Sequence, residues 1–221
     1  LRFAVRPNAK ELRKRLDAWL DEEKEQEARA QLVKSYAARE PSTGPLRARR
    51  PAFAKGDSIS PFDDYFREHA TGIAWDWPLL AAMAWKETRF DSTVVSRQGA
   101  EGIMQLMPRT SAKLGLDSSA VMDDHIRVAA RYLSKLDTLW RRAVPDPEQR
   151  LRFVLASYNA GPGHIIDAQR LAERLGLDPQ RWEHNVESAV LLLAKPRFFL
   201  RPEMKNGFCN GRIVFHYVRD I

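Results

Sequence analysis

The chain has 221 residues, 44% of them hydrophobic and 29% charged, which is enough to bury one substantial core and excludes a chain that is disordered throughout. No uninterrupted apolar run approaches the 18 or more residues typical of a membrane-spanning helix. Cys209 is the only cysteine, so an intrachain disulfide and a multi-cysteine zinc site are both excluded.

The net charge of +7 is concentrated at the N-terminal end, where residues 1–57 carry 14 Lys and Arg against 9 Asp and Glu. A basic arm of this kind suits contact with an anionic envelope surface, such as cell wall or lipid headgroups. Nucleic acid is a competing interpretation, but no recognised nucleic-acid motif accompanies the charge. A solvated linker is the third interpretation. Because the chain begins at Leu1, we expect it to be an excerpt or a processed product.

Residues 1–40 predict a helical arm, with helical composition from Ala9 to about Ala38. The arm carries a short apolar stripe that needs a partner surface, formed by Leu12, Leu16, Trp19 and Leu20. Residues 41–59 are rich in proline, glycine and basic side chains, which predicts a linker without a core. The remaining residues, 60–221, predict a separate domain.

Helical patterns dominate residues 60–221 and strand patterns are scarce, so we predict a compact all-α domain. Start signals stand at Ser60-Pro61-Phe62-Asp63, at Pro78 and at Asp146-Pro147-Glu148. Further helices are predicted at about 124–142, 164–175 and 186–194.

The helix that starts at Pro78 places Glu87 on an apolar face, because Leu80, Met83 and Ala84 precede it by seven, four and three residues. These neighbours, together with Phe90, are expected to exclude water, and the helix C-terminus adds negative potential. Both effects penalise the carboxylate and predict a raised pKa for Glu87. A glutamic acid that stays protonated near neutrality is suited to protonate a glycosidic oxygen. A solvent-facing helix end is the alternative for Glu87 taken alone.

Three motifs occur in order around this glutamate. Glu87-Thr88-Arg89-Phe90-Asp91 precedes Ser96 and Gly99-Ala100-Glu101-Gly102-Ile103-Met104-Gln105, and Ala156-Ser157-Tyr158-Asn159-Ala160-Gly161 follows. Together they resemble the catalytic domain of bacterial lytic transglycosylases of the soluble-transglycosylase type, a family related in fold to goose-type lysozyme. The resemblance covers about residues 60–221 and implies a lysozyme-like, all-α transglycosylase domain.

Other stretches are similar to a membrane-bound branch of this family, namely Ser60–Asp64, Trp75-Asp76-Trp77 and Asp178–Trp182. In that branch a periplasmic solute-binding-like domain precedes the transglycosylase domain. Residues 1–20 resemble the last strand and helix of such a domain, so the arm is expected to be its remnant. The resemblance implies a location in the bacterial periplasm, in association with the outer membrane.

The resemblance also implies roles for individual residues. Glu87 would act first as acid and then as base in cutting peptidoglycan glycan strands, leaving 1,6-anhydro-N-acetylmuramic ends without a metal or a cofactor. The residues expected to bind or position the substrate are Ser96, Gly102, Ile103, Met104, Gln105, Tyr158, Asn159 and Tyr217. Among these, Gln105 and the Gly102–Met104 backbone would bind N-acetyl groups, while Tyr158 is the best candidate for a hydroxyl bonded to Glu87 or to the substrate.

The chain departs from the family pattern at five positions, one of which is Val214, where threonine is usual. Thr88, Ile103 and Ser157 stand where serine, leucine and alanine are usual, and the last change is expected to be harmless if Ser157 is partly exposed. Ile213 stands where the family has a glutamate in Gly-x-Glu-Thr-x-x-Tyr-Val, so any binding role of that glutamate is not transferred.

Three other functions remain open from the sequence. A lysozyme-type hydrolase would use the same Glu87 with a water nucleophile, and Asp91 or Glu101 would be the nearest second carboxylate. A catalytically impaired peptidoglycan-binding module is the second, and a nucleic-acid-binding protein driven by the basic arm is the third. Trp75, Trp77 and Trp85 are expected in the core rather than as sugar platforms.

Overall fold

The computed structural model describes residues 10–21, 58–73, 75–116 and 120–221. The chain divides into two units after Ala52. In the first unit, helix α1 spans Lys10–Asp21 and lies within the predicted arm. Most of that arm and nearly all of the predicted linker, residues 41–59, lie outside the described residues, so this domain division stays a prediction.

The second unit is helical, which confirms the predicted all-α class for the described residues. Its helices are α2 Asp63–Thr71, α3 Trp77–Thr88, α4 Pro108–Lys113, α5 Met122–Trp140, α6 Pro147–Ala160, α7 Pro162–Arg174, α8 Glu187–Leu192, α9 Pro196–Phe199 and α10 Gly211–Asp220. A single antiparallel bridge, between Glu101 and Leu106, is the β pairing found in the described ranges. No helix there combines the length and the apolar character needed to cross a lipid bilayer.

Helix α3 begins at Trp77, with the predicted Pro78 in its first turn. The other two predicted helix starts involve acidic side chains. The Asp146 carboxylate accepts a hydrogen bond from the Gln149 amide at 2.9 Å, so it caps α6 as predicted. At the other start the Asp63 carboxylate accepts from the backbone and hydroxyl of Ser60, both at 2.7 Å. That contact closes a turn in front of α2, and the helix begins at Asp63 rather than beside Ser60.

Helix α6 forms the centre of the domain, packed against α5, α7 and α10. Five consecutive residues of α6, Phe153–Ser157, are buried, and a helix buried on several sides must be apolar around most of its circumference. The Phe153 ring packs against Trp140 at 5.0 Å and against Trp182 at 5.5 Å between centroids. These aromatic pairs join α6 to α5 and to the wide turn that precedes α8.

Ser157 is fully buried, so the condition under which its replacement of alanine was expected to be harmless, partial exposure, is not met. Its hydroxyl accepts a hydrogen bond from the Trp140 indole nitrogen at 2.9 Å. The serine therefore satisfies a buried donor that alanine would leave without this partner.

Candidate active site

Glu87 occupies the last turn of α3, and the predicted apolar face below it is confirmed. Leu80, Met83 and Ala84 are all completely buried, and the helix ends one residue later at Thr88. Phe90 is not part of this face, because it lies beyond the helix end and packs against Trp85 at 5.5 Å between ring centroids. Phe90 is therefore not a neighbour of Glu87 on the helical face, and its exclusion of water from Glu87 stays a prediction.

Burial raises the pKa of Glu87 to about 7. The apolar surroundings penalise the charged form, and this effect outweighs two opposing influences from Tyr217 and Lys86, which favour the carboxylate. The raised pKa agrees with the prediction from the sequence. At neutral pH a substantial fraction of Glu87 is protonated and can donate a proton.

Two tyrosines lie near Glu87, the half-buried Tyr158 and the buried Tyr217, and their hydroxyls make different contacts. The Tyr158 hydroxyl donates to the Met104 carbonyl at 2.7 Å rather than bonding to Glu87. Tyr217 on α10 approaches the Glu87 carboxyl, but it makes no hydrogen bond of standard geometry within the described residues. The Tyr217 hydroxyl and the Glu87 carboxyl are therefore in polar contact. Burial, followed by the nearby Glu87 charge, raises the pKa of both phenols.

Tyr132 is a neighbour of this site that the sequence analysis missed. Its ring lies 5.7 Å from the Tyr158 ring, between centroids, and burial raises its pKa. Tyr132 belongs to α5, where the sequence pattern identified only the apolar stripe. The one available signal was an aromatic residue adjoining that stripe, which does not by itself indicate a site.

The Gly102–Gln105 loop is held by side chains from three directions. Gly102 has a φ of +72°, and a Cβ there would stand 2.3 Å from a His125 ring nitrogen, so glycine is required for this close approach. Ile103 and Met104 are fully buried. Their carbonyls accept hydroxyls from Thr88 at 3.0 Å and Tyr158 at 2.7 Å.

Gln105 and Ser96 form hydrogen bonds within their own loop. The Gln105 amide nitrogen donates to the carbonyls of Val94 at 2.8 Å and Gly102 at 3.1 Å. The Ser96 hydroxyl accepts from the Ala100 amide at 2.9 Å. Asn159, which follows Tyr158, is half-buried. Direct sugar binding by these residues stays a prediction, while the contacts observed for Gln105 and Ser96 shape the loop.

Thr88 connects α3 to this loop, and replacing it by valine should be costly. The buried Thr88 hydroxyl donates to Ile103 and, at 3.2 Å, to the Ala84 carbonyl. Thr88→Val keeps the shape but removes the donor, so we expect the free energy of unfolding to fall by about 1–3 kcal/mol. Denaturant titration measures this change. Thr138→Val is the matched control, because Thr138 makes the same type of backbone contact, to Ser134, on an exposed surface. A shift of equal size in both variants would contradict the prediction.

The two candidate second carboxylates are both exposed. Asp91 accepts hydrogen bonds from the Thr93 amide and hydroxyl at 2.9 and 2.6 Å, and these contacts lower its pKa. Glu101 pairs through its backbone with Leu106. Neither residue contacts Glu87 in the described hydrogen bonds.

A group of possible metal ligands lies away from Glu87. One ligand atom each from Glu68, His69 and Asp123 falls within 4.8 Å of the others. The His69 Nε2 lies 2.6 Å from the Asp123 carboxylate, and this hydrogen bond accounts for the contact without an ion. The sequence did not predict the cluster, because α2 and α5 bring together residues that are far apart in the chain.

Two depressions flank α3. One, of about 290 Å³, is lined by Lys86, Arg212, Ile213, His216 and Tyr217. The other, of about 1070 Å³, is lined at the first half of α3 by Trp77, Leu79 and Ala82, and does not include Glu87. Glu87 does not line the smaller depression either.

Trp75 and Trp77 are half-buried and pack against the core, in keeping with the prediction. Trp85 is also half-buried, but its ring packs against Phe90, at 5.5 Å between centroids. The guanidinium groups of Arg67 and Arg89 each lie 4.4 Å from the ring centroid of Trp77 and Trp85, respectively. One face of each of these two rings is therefore covered by an arginine.

Comparison with known proteins places these features in context. The family described as Transglycosylase SLT domain matches residues 64–179. Proteins named membrane-bound lytic murein transglycosylase F are similar to this chain. The one from Shewanella loihica is 34% identical over 72% of this chain and 32% of its own length. The one from Desulfosudis oleivorans is 28% identical over 100% of this chain and 48% of its own length.

A third relative of the same name, from Maricaulis maris, is 37% identical over 71% of this chain and 33% of its own length. The chain thus spans about a third to a half of the length of these relatives. Among solved structures, an inactive mutant of the lytic transglycosylase Slt from Pseudomonas aeruginosa matches with a TM-score of 0.41 and 24% identity, over 66% of this chain and 26% of that one. The family match extends over half of the chain and contains Glu87 together with all three motifs. The chain belongs to the transglycosylase SLT domain family.

Proposed function

We propose that this chain is a peptidoglycan lytic transglycosylase that cleaves the β-1,4 bond between N-acetylmuramic acid and N-acetylglucosamine. The observation that carries the proposal is the raised pKa of about 7 of Glu87 at the end of a buried apolar face. Family membership supplies the substrate class, because the relatives are named murein transglycosylases. The activity of the whole protein is proposed from its similarity to these relatives.

Glu87 supplies both proton transfers in the proposed reaction. Protonated Glu87 donates to the glycosidic oxygen as the bond from that oxygen to C1 of the muramic residue breaks. The C6 hydroxyl of the same sugar then attacks C1, and its proton passes to the Glu87 carboxylate. A 1,6-anhydro ring closes, and the glutamic acid is restored. The substrate's acetamido group can assist at C1, and these steps need no cofactor.

A lysozyme-type hydrolase is the second candidate, with water attacking in place of the C6 hydroxyl. An inverting hydrolase would need a second carboxylate to activate that water. Asp91 is held by Thr93 and Glu101 is exposed, so the contacts of the described residues favour the intramolecular route.

The products of digestion distinguish the two reactions. Purified sacculi are incubated with the protein, and the released fragments are analysed by mass spectrometry. Transglycosylation leaves anhydro ends that are lighter by one water than the hydrolysis products. Release of hydrated ends alone would reject the transglycosylase and favour the hydrolase. Binding of sacculi without any release would favour the impaired binding module.

We further propose a periplasmic location at the outer membrane, since several relatives are named membrane-bound. The basic excess of residues 1–57 supports contact between the arm and an anionic envelope surface. The proposal also includes the division of the chain into three parts. Residues 1–40 are the remnant of a solute-binding-like domain, residues 41–59 are a linker, and residues 60–221 are the catalytic domain.

The raised pKa of Glu87 predicts that wild-type stability falls as the pH rises from about 4.5 to about 7. The folded state holds the proton up to about pH 7, whereas the unfolded state releases it near the ordinary value of 4.5. The folded state binds more protons in this range, so unfolding becomes easier with rising pH, by up to about 3 kcal/mol.

Glu87→Gln removes this titration, so we expect the variant to be more stable than the wild type at pH 8 and similar to it at pH 4. Thermal unfolding of both proteins across this pH range measures the difference. If the unfolding temperatures of the two proteins changed in parallel with pH, the prediction would be wrong, and Glu87 would be solvated in the folded state.

A further inference from the structure

Residues 195–208, which we call the α9 segment because helix α9 lies within them, expose two large apolar side chains. Leu200 is 52% exposed and Phe208 is 57% exposed. They are neighbours through Phe199, whose ring packs against Phe208 at 5.9 Å between centroids and which precedes Leu200 in the chain. Isolated exposed apolar residues are normal on a protein surface, whereas a group of them bordered by charge indicates an interaction site.

The α9 segment is also strongly basic. Its four cationic residues are Lys195, Arg197, Arg201 and Lys205. Glu203 is the one acid of the segment, and it forms ion pairs with Arg201 at 3.9 Å and with Arg174 of α7 at 3.1 Å. The other three cations are exposed, and no carboxylate of the described residues forms a salt bridge with them. The segment therefore carries an uncompensated positive charge.

The basic and apolar side chains share one small region of the surface. The guanidinium carbons of Arg197 and Arg201 lie 4.7 and 5.4 Å from the centroid of the Phe198 ring. Phe198 is buried, and it adjoins Phe199 in the same short helix. Two cations thus border the group formed by Phe199, Leu200 and Phe208.

The α9 segment is fixed to the domain, so its apolar side chains are held at the surface. The carboxylate of Asp167, a fully buried residue of α7, accepts hydrogen bonds from the Lys205 amide at 2.9 Å and the Asn206 amide at 2.8 Å. The side chain of Met204 is buried. The same segment therefore contributes one apolar side chain to the core and presents two others to solvent.

We propose that the α9 segment is a contact surface for a lipid bilayer that carries anionic headgroups. Leu200 and Phe208 enter the boundary between the headgroups and the acyl chains, and the basic side chains lie at the level of the phosphates. Surface-bound membrane elements combine Leu and Phe with Lys and Arg in this way. A glycan strand fits this surface less well, because leucine has no flat face on which a sugar ring could stack.

This contact differs from the proposed contact of residues 1–57 with an anionic surface. It lies in the domain that carries Glu87, and it adds an apolar component to the electrostatic one. It does not depend on whether Glu87 cleaves a glycan, so the two proposals can be tested separately.

Flotation of the full chain with lipid vesicles tests the inference. Vesicles of phosphatidylcholine alone are compared with vesicles that also contain phosphatidylglycerol, and we expect wild type to bind the anionic vesicles more tightly. Leu200→Gln and Phe208→Gln should each lower the partition coefficient about fivefold, since each removes the burial of about half an apolar side chain. Phe208→Trp should retain the binding, because tryptophan favours the membrane interface.

Two residues of α5 supply matched controls. Leu139 is 48% exposed and lies outside the α9 segment, so Leu139→Gln should change the partition coefficient by less than about twofold. Lys205→Gln should lower it about fivefold, the scale of one basic residue at an anionic membrane. Lys135 is likewise exposed and outside the segment, and Lys135→Gln should have an effect of less than about twofold.

Failure of the full chain to bind anionic vesicles would overturn the inference. So would equal binding by Leu200→Gln, Phe208→Gln and Leu139→Gln, which would assign the contact to residues 1–57. If the first two variants lost binding to sacculi and kept binding to vesicles, the segment would be a glycan surface and the inference would be wrong. Vesicle binding by wild type without fragment release from sacculi would reject the proposed activity and leave the membrane contact standing.

Discussion

Glu87→Gln is expected to reduce fragment release from sacculi by about a thousandfold, the scale of a lost general acid and base. Glutamine keeps the size and polarity of the side chain but cannot transfer a proton. Because burial already favours the uncharged form of Glu87, the variant should fold at least as well as the wild type. Quantifying the anhydro fragments released from sacculi by each protein measures the loss.

Glu101→Gln is the matched control, because it makes the same substitution at an exposed glutamate on the neighbouring loop. We expect its release rate to stay within about twofold of wild type, since surface substitutions of this kind have small effects. A loss in Glu101→Gln comparable with that in Glu87→Gln would indicate that two carboxylates take part. Such a result would favour the hydrolase.

Gly211→Ala is expected to lower the free energy of unfolding by about 3 kcal/mol. A Cβ at Gly211 would stand 2.1 Å from the Val190 carbonyl oxygen and 2.7 Å from the Leu191 Cα. These are backbone atoms of α8, so the added methyl cannot be accommodated by turning a side chain. Helix α10 must move as a whole, and it carries Tyr217 to Glu87. We therefore expect slower fragment release together with a lower unfolding temperature.

Gly72→Ala is the matched control for the loss of a glycine. Its Cβ would meet only the His69 carbonyl oxygen, at an ordinary distance of 3.7 Å, and its φ of −67° suits any residue. We expect its stability to lie within about 1 kcal/mol of wild type. Thermal unfolding of both variants measures the contrast. If Gly211→Ala unfolds at the same temperature as Gly72→Ala, the close packing of α10 on α8 is not required for the stability of the domain.

The sequence predicted the features that depend on local periodicity. Spacings of three, four and seven residues placed Glu87 above Leu80, Met83 and Ala84, and its raised pKa follows from that burial. Asp146 predicted the start of α6, because its carboxylate caps the helix by accepting from Gln149, only three residues later in the chain. Short-range spacing determines such contacts because a helix repeats every 3.6 residues.

Contacts between distant segments could not be derived in the same way. Tyr158 was the best candidate for a hydroxyl bonded to Glu87 or to the substrate, and in the structure its hydroxyl bonds to Met104, 54 residues away in the chain. Ser157 is a similar case, since its partner Trp140 belongs to another helix. No periodic pattern relates such residues, because their separation depends on how the helices pack.

The sequence alone therefore determined that an acid ends an apolar helical face, and the motifs around it indicated the family. Only the tertiary structure decided which side chains surround that acid. Helix α10 approaches α8 closely because Gly211 has no Cβ. That approach brings Tyr217 to Glu87. It also places Arg212, Ile213 and Tyr217 around one depression with Lys86 of α3. Packing distances of this kind are set by atoms from several helices at once, so no single segment of sequence contains them.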